Sequence, residues 1–266
     1  MNRLSVVIIT FNEVSNIGRC IDSVKAVADE VIVLDSYSTD DTVKIATDKG
    51  ALVYQQKFNG YILQKNNAIQ LSSHNLVLSL DADEALSEEL AASIAIAKAA
   101  DKAAAYSMNR CNIYCGHPIR HGLWYPDRKL RLFDKRNGYC GGLNPHDKII
   151  LTQPVSTVQL KGDLLHYTYN NFKEYQERNE EVSTVAATSL FNSRVKVHWS
   201  KIFLSPVWAF LNGYFLRLGF LDGWYGMVIA CQTTSQSFKK YYKLRQLQKK
   251  SFQKMNLQTI ELKTTA

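Results

Sequence analysis

A chain of 266 residues, 46% hydrophobic and 21% charged, has enough apolar side chains for a packed core, which excludes a disordered polymer. Its net charge of +8 is uneven: residues 1–105 carry 9 Lys/Arg against 14 Asp/Glu, residues 106–266 carry 23 against 10. The rear half should therefore favour anionic surfaces or phosphorylated substrates. Five scattered cysteines (Cys20, Cys111, Cys115, Cys140, Cys231) fit a reducing compartment, not a disulfide framework. Cys111, Cys115 and His117 lie close in sequence, but no second ligand pair follows, so structural zinc is not expected. No basic-then-apolar leader precedes the first strand pattern, so secretion is not expected.

Leu4–Thr10 is a β-branched apolar run that predicts a buried first strand. Ile17, Cys20, Ile21, Val24 and Val27 then recur at helical spacing. Val31–Leu34 predicts a second strand ending in Asp35. Ser38 with Asp41 three residues on predicts a capping box for a helix over 39–49. Residues 51–54 read as a short strand, 61–71 as a helix, and Leu76–Leu80 as a central buried strand. Strands alternate with helices to residue 100, the pattern of βαβ units and a parallel sheet.

The central strand breaks into Asp81, Asp83 and Glu84, at the carboxyl end where open α/β sheets present ligands. A turn there would let Asp81 and Asp83 approach one hard divalent ion that also holds substrate phosphates. The other reading is an acidic turn capping a helix over 87–100. No G-x-G-x-x-G follows the first strand and no P-loop motif occurs, which removes dinucleotide and P-loop folds. Asn12, Glu13, Asp35, Asp81 and Asp83 at strand ends suit a nucleotide gripped by carboxylates, with metal on its diphosphate.

Thr10-Phe11-Asn12-Glu13, VLDSYSTDDT (33–42), QKNNA (64–68) and LSLDADE (78–84) resemble family 2 glycosyltransferases, and more narrowly the lipopolysaccharide-core glucosyltransferase branch. The resemblance implies an α/β fold of GT-A type, a Rossmann-like, mostly parallel sheet flanked by helices, and inversion at the anomeric carbon. It implies that Thr10, Asn12, Glu13 and Asp35 hold the nucleoside and that Lys65 and Asp81 meet the diphosphate. Asp83 and Asp81 would position Mg²⁺ or Mn²⁺. Many relatives carry a double Asp where this chain has Asp35-Ser36, so the second acid of that pair is a serine here. UDP-glucose as donor and the heptose/Kdo region of the lipopolysaccharide inner core as acceptor follow from the resemblance alone. Its rivals are transfer to another lipid-linked or surface glycan, a nucleotidyltransferase with a related sheet, and a membrane-surface scaffold with a decayed site. A nucleotidyltransferase would need a basic triphosphate-gripping loop after the first strand, which Thr10–Ser15 does not offer.

Residues 104–113 and 129–133 alternate as strands around a Gly-, His- and Pro-rich loop. Arg110, Arg120, Arg128, Lys129, Arg131, Lys135 and Arg136 read either as a solvated face or as a basic acceptor cleft, in which Trp124 or Tyr125 would stack on a sugar. Arg120, Trp124, Arg128 and His146 are the acceptor candidates. In the loop GGLNPHD (141–147), the resembling branch has its Asp or Glu after His, which makes Asp147 the base; His146 is the rival, with a pKa nearer neutrality. His166, in an apolar run, reads as a core histidine or a third metal or phosphate contact. A domain over 1–170, with a nucleotide-sugar half (1–100) and an acceptor half (101–170), would precede a helical region over 171–266. That region begins with a helix over 172–192. Its uncharged stretches, between Lys201 and Arg217 and between Asp222 and Lys239, are too short to span a bilayer, and a hairpin near Gly219–Gly223 is expected. Residues 239–254 hold seven Lys/Arg and no acid among aromatics, which predicts an appendage lying on an anionic membrane, not on nucleic acid. The expected location is cytoplasmic, peripheral on the inner face of the cytoplasmic membrane.

Overall fold

A computed structural model describes residues 2–100, 104–143, 146–169 and 171–264, without the side chains of Ala104, Leu143, His146, Glu174 and 252–264. The chain divides into two units, Met1–Ile113 with Tyr125–Thr168, and Tyr114–Trp124 with Tyr169–Ala266. The first unit thus ends at Thr168, and Tyr114–Trp124 groups with the C-terminal helices.

In the first unit β1 (Leu4–Thr10), β2 (Glu30–Asp35), β3 (Leu52–Gln55) and β4 (Leu76–Asp81) alternate with α1 (Ile17–Val24), α2 (Thr42–Asp48) and α3 (Tyr61–Leu71). There follow β5 (Glu84–Leu86), α4 (Glu88–Ala99), β6 (Ala104–Tyr114), β8 (Asp127–Asp134), β9 (Gly138–Leu143), β10 (His146–Leu151) and β11 (Ser156–Tyr169); β7 (His117–Pro118) lies in the second unit. The sheet runs β3-β2-β1-β4-β8-β6-β11-β5. It is parallel through its first four strands, and β8 pairs antiparallel with β4 and β6. It is a mixed α/β sheet flanked by helices, as expected.

Alternation along the strands sorts two cores. Leu4, Val6 and Ile8 of β1 and Leu78 and Leu80 of β4 pack with α1 and α4 on one face. Val7, Ile32, Leu34, Val77 and Phe133 meet Ala68 and Ile69 of α3 on the other, joined by Ile149 and Leu151 of the β9–β10 hairpin. Ser87, not the upstream acids, caps α4 by accepting the Leu90 N–H at 3.2 Å, and it also takes the Asp163 N–H at 3.0 Å. Gly162, at φ +86°, fits against that turn because a Cβ there would stand 2.3 Å from the Leu90 nitrogen.

In the second unit α5 (Phe172–Asn192), α6 (Trp199–Phe210) and α7 (Gly223–Thr264) pack together; a π turn over Leu211–Leu216 and a 3₁₀ turn over Gly219–Asp222 join the last two. The turns cross closely: a Cβ on Gly226 would overlap the Gly219 carbonyl oxygen, at 1.8 Å. Buried Asp222 accepts the backbone N–H groups of Arg120 (3.1 Å) and His121 (2.9 Å) and faces His121 Nδ1 at 2.8 Å, which binds Tyr114–Trp124 to the helices. Among the described residues no helix is long and apolar enough to cross a membrane.

Candidate active site

Because Leu80 faces the α1/α4 core, Asp81 emerges on the α3 side of the sheet. There α3 turns in Gln64, Lys65, Ala68 and Ile69, a helical face whose third-turn partners are the apolar core. The hairpin completes the site: in β10, Asp147 shares its strand face with Ile149 and Leu151, and opposite them stand Gly142, Cys140 and Gly138. Asp147 therefore points inward. Asn66 pins hairpin to helix, its amide donating to the Cys140 carbonyl and accepting the Cys140 N–H, both at 2.8 Å.

Lys65, 2% exposed, is the hub. Its Nζ lies 2.8 Å from Asp81 Oδ1 and 2.9 Å from Asp147 Oδ2. Arg131 Nη2 reaches Asp81 Oδ2 at 2.9 Å and Glu84 Oε1 at 2.7 Å, and Arg110 stands 3.9 Å from Glu84. Burial works against the charges of Asp81, Lys65 and Arg131, yet their pairs prevail. Burial would raise the Asp81 carboxyl, but Lys65 and Arg131 hold it well below the usual carboxylate range. Burial and Arg131 would lower Lys65, and Asp81 and Asp147 outweigh them. Arg131 is likewise held charged by Glu84 and Asp81 against its burial. Burial, then Asp147, pushes the Cys140 thiol up to about 12, so it stays protonated, with Sγ 3.6 Å from Asp147 Oδ2.

Asp83 lies across a turn from Asp81 and takes a different partner, His166 of β11, whose Nε2 is 3.2 Å from Oδ2. The other ring nitrogen, Nδ1, is 2.7 Å from Asn112 Oδ1, which also accepts from the Thr168 hydroxyl. Glu13 is close to this pair: burial first, then Asp83 and Asp40, raise its carboxyl, against the hydrogen bond from Asn16. Among the described residues no group of three or more His, Cys, Asp or Glu is arranged to hold a metal ion. The donors that fit a divalent cation best are Asp83 and His166, because the Asp81 oxygens already face two cations; a hard cation held by one or two carboxylates completes its shell with phosphate and water.

The loops after β1 and β2 are zipped together. Asn12, at φ 54°, accepts the Thr39 N–H and donates its own N–H to Ser38 Oγ, both at 2.8 Å, and the Glu13 N–H donates to Thr42 Oγ1. Asp35 is fully buried and accepts from the Ser38 N–H (2.9 Å), the Ser38 hydroxyl and Gln55 Nε2 (3.1 Å). Ser38 is thus a loop clasp, not the expected helix cap; α2 begins at Thr42, whose N–H Asp40 accepts at 3.0 Å. Thr10 Oγ1, Gln64 Oε1 and Arg131 Nε are buried without partners, and each belongs to a residue on or bordering these networks. Two further atoms of this kind, Tyr114 Oη and Asn179 Oδ1, lie in the second unit, and each such atom costs stability.

The rear cations do not gather in one cleft. Arg131 is interior, Arg110 and Lys129 pair with Asp127 at 2.7 and 3.1 Å, and Arg136 pairs with Asp134. Arg128 is exposed in the first unit, whereas Arg120 and Trp124 lie in the second; Trp124 packs against Tyr114, Tyr169 and Tyr175. The His146 side chain lies outside the described residues. Sequence reasoning missed the interior role of Arg131, although an arginine within the apolar strand KLRLF was a signal, and it missed Asn66 and Cys140, which carry none.

The sequence model described as glycosyl transferase family 2 matches residues 5–153. An uncharacterized glycosyltransferase of Rickettsia typhi is 32% identical, covering 94% of this chain and 89% of its own. The lipopolysaccharide core biosynthesis glycosyltransferase LpsC of Rhizobium meliloti is 26% identical over 90% of this chain and 93% of its own. Among solved structures, Staphylococcus aureus TarS 1-349 is similar at 14% identity and a TM-score of 0.47, covering 90% of this chain and 91% of that one. Glucosyl-3-phosphoglycerate synthase of Mycobacterium tuberculosis, solved with Mn²⁺, UDP and glucosyl-3-phosphoglycerate, is similar at 18% and 0.45, covering 74% and 81%.

Proposed function

The chain belongs to glycosyl transferase family 2, and from that premise we propose that it moves a hexose, glucose from UDP-glucose, onto the lipopolysaccharide inner core with inversion. The likeness to LpsC over nearly the whole chain supports the acceptor class. The observation that carries the reading is the Lys65 ammonium clasped between Asp81 and Asp147, beside the Asp83–His166 pair.

In this reading the clasped loops bearing Thr10, Asn12, Glu13 and Asp35 form the nucleoside cradle. Asp35 orders it through Ser38 and Gln55. Asp83 and His166, with Asp81 adjoining, would hold Mg²⁺ or Mn²⁺, which offsets charge on the departing diphosphate. Lys65 offers a second fixed positive charge to those oxygens while it orients Asp147. The acceptor hydroxyl attacks the anomeric carbon as the bond to the diphosphate oxygen breaks, and its proton passes to the Asp147 carboxylate. Bonding to the anomeric centre acidifies that hydroxyl, so a carboxylate suffices as its base. Arg128 lies exposed on the same unit as a contact for acceptor phosphate.

Labelled sugar nucleotides offered with truncated core lipids, in Mn²⁺ or Mg²⁺ and again in EDTA, test the reading. Transfer from UDP-glucose that EDTA abolishes is expected. Pyrophosphate release from a nucleoside triphosphate, or full transfer in EDTA, would overturn it.

A further inference from the structure

The outward face of α6 is more apolar than the face it turns to its neighbours. Trp199, Phe203, Leu204 and Trp208 project at i, i+4 spacing, with Leu204 66% and Trp208 60% exposed, while only Ile202 and Pro206 are buried. At the end of the π turn Leu216 is also exposed, and Trp224 at the start of α7 is 75% exposed. An exposed apolar run of this length on a water-soluble helix needs a covering. From Ser193 to Leu221 there is no Asp or Glu, and Arg194, Lys196, Lys201 and Arg217 are all exposed.

We propose that this face docks in the interfacial layer of an anionic lipid bilayer. α6 lies along the surface, with Trp199, Trp208 and Trp224 at headgroup depth and the four flanking cations against anionic headgroups. The uncharged run from Ile202 to Leu216 is too short to span. A second copy of the chain fits less well, because pairing this face with itself would bring like charges together. Part of the basic tail expected to serve as the membrane face packs within the helical unit, and Arg245 lies over the Trp199 ring at 5.5 Å. Tyr241 and Leu244 pack against α5 and α6, and Lys239 and Lys243 pair with Glu180. The proposal is independent of which sugar is moved and onto what.

Flotation of the full chain with vesicles tests it. Binding to phosphatidylcholine vesicles containing phosphatidylglycerol is expected, weakened roughly tenfold or more on phosphatidylcholine alone or in high salt. Phe203→Glu with Trp208→Glu should abolish it, whereas Tyr242→Ser on the tail should leave it unchanged. Trp199 and Trp208 lie on this face, Trp224 is exposed at the start of α7, and the fourth tryptophan, Trp124, is packed among tyrosines. Brominated lipids should therefore quench most of the wild-type emission, a readout that needs no variant. Absence of both binding and quenching would overturn the proposal. So would a dimer in sedimentation that the double substitution dissociates in a protein indifferent to vesicles.

Discussion

The strand-tip network of the first unit and the outward face of α6 in the second depart from ordinary packing in opposite senses. One buries charge: Lys65, Arg131 and Glu84 are nearly or wholly inaccessible and survive because each faces an opposite charge within hydrogen-bond distance. The other leaves large apolar side chains more than half exposed. Neither is what folding alone would select, since a buried ion pair is weak support for stability and an uncovered tryptophan gives none. The comparison teaches that substitutions in the two regions should separate stability from function in different ways.

The largest effect is expected at Lys65. Lys65→Met leaves Asp81 and Asp147 facing each other without the cation between them, and unfolding in denaturant should show a loss of about 3–5 kcal/mol. Sugar transfer should vanish with it. A variant as stable as the parent would mean that the clasp is not formed in solution, and the comparison would lose its first half.

On α6 the opposite pattern is expected. Phe203→Ser removes an exposed ring, and its unfolding free energy should stay within about 0.5 kcal/mol of the parent. A loss of several kcal/mol would mean that the ring is covered by protein in solution. That result would break the contrast from its other side.

The smallest effect lies on α5. Lys239 and Lys243 hold the Glu180 carboxyl down at about 2 through hydrogen bonds. A depressed carboxylate stabilises the fold fully above its unfolded pKa, near 4.3, and loses that contribution as pH falls towards about 2. Glu180 is more than half exposed, so solvent screens the pair, and Glu180→Gln should cost less than about 1 kcal/mol at neutral pH. The difference between parent and variant should shrink in acid; a gap that widens below pH 4 would reverse the assignment.

Local patterns were legible where one element's own residues decide its form. The helices over 61–71 and 172–192 and the first strand have the bounds their periodicity predicts. Ser38 shows where local reading stops. Its spacing to Asp41 predicts a capping box, but Asp35 takes its hydroxyl and Asn12 donates to it, so the helix waits until Thr42. Asp81, Asp83, Lys65 and Asp147 could be picked out as candidate-site residues by motif. Their partners could not, because Lys65 meets carboxylates 16 and 82 positions away and Asn66 meets a strand 74 positions on. The separate partners of Asp81 and Asp83 follow from a turn and from β11, neither visible in the two-residue spacing.

The exposed face of α6 was hidden for a different reason. The helix-length rule excluded a spanning segment, and the basic residues over 239–254 drew attention to the tail, where Lys239 and Lys243 face Glu180 and Lys240 the Tyr241 ring. Charge is legible in sequence; the direction in which a helix turns it is set by the neighbour it packs on.

Asp147 is the group on which proton removal from the acceptor depends in this mechanism. Single-turnover transfer from labelled UDP-glucose, measured beside equilibrium donor binding for Asp147→Asn, tests this directly. Transfer should fall roughly 10²–10⁴-fold while donor affinity holds, as removal of a general base requires. Turnover close to that of the parent, or a loss of donor binding as large as the loss of turnover, would contradict it.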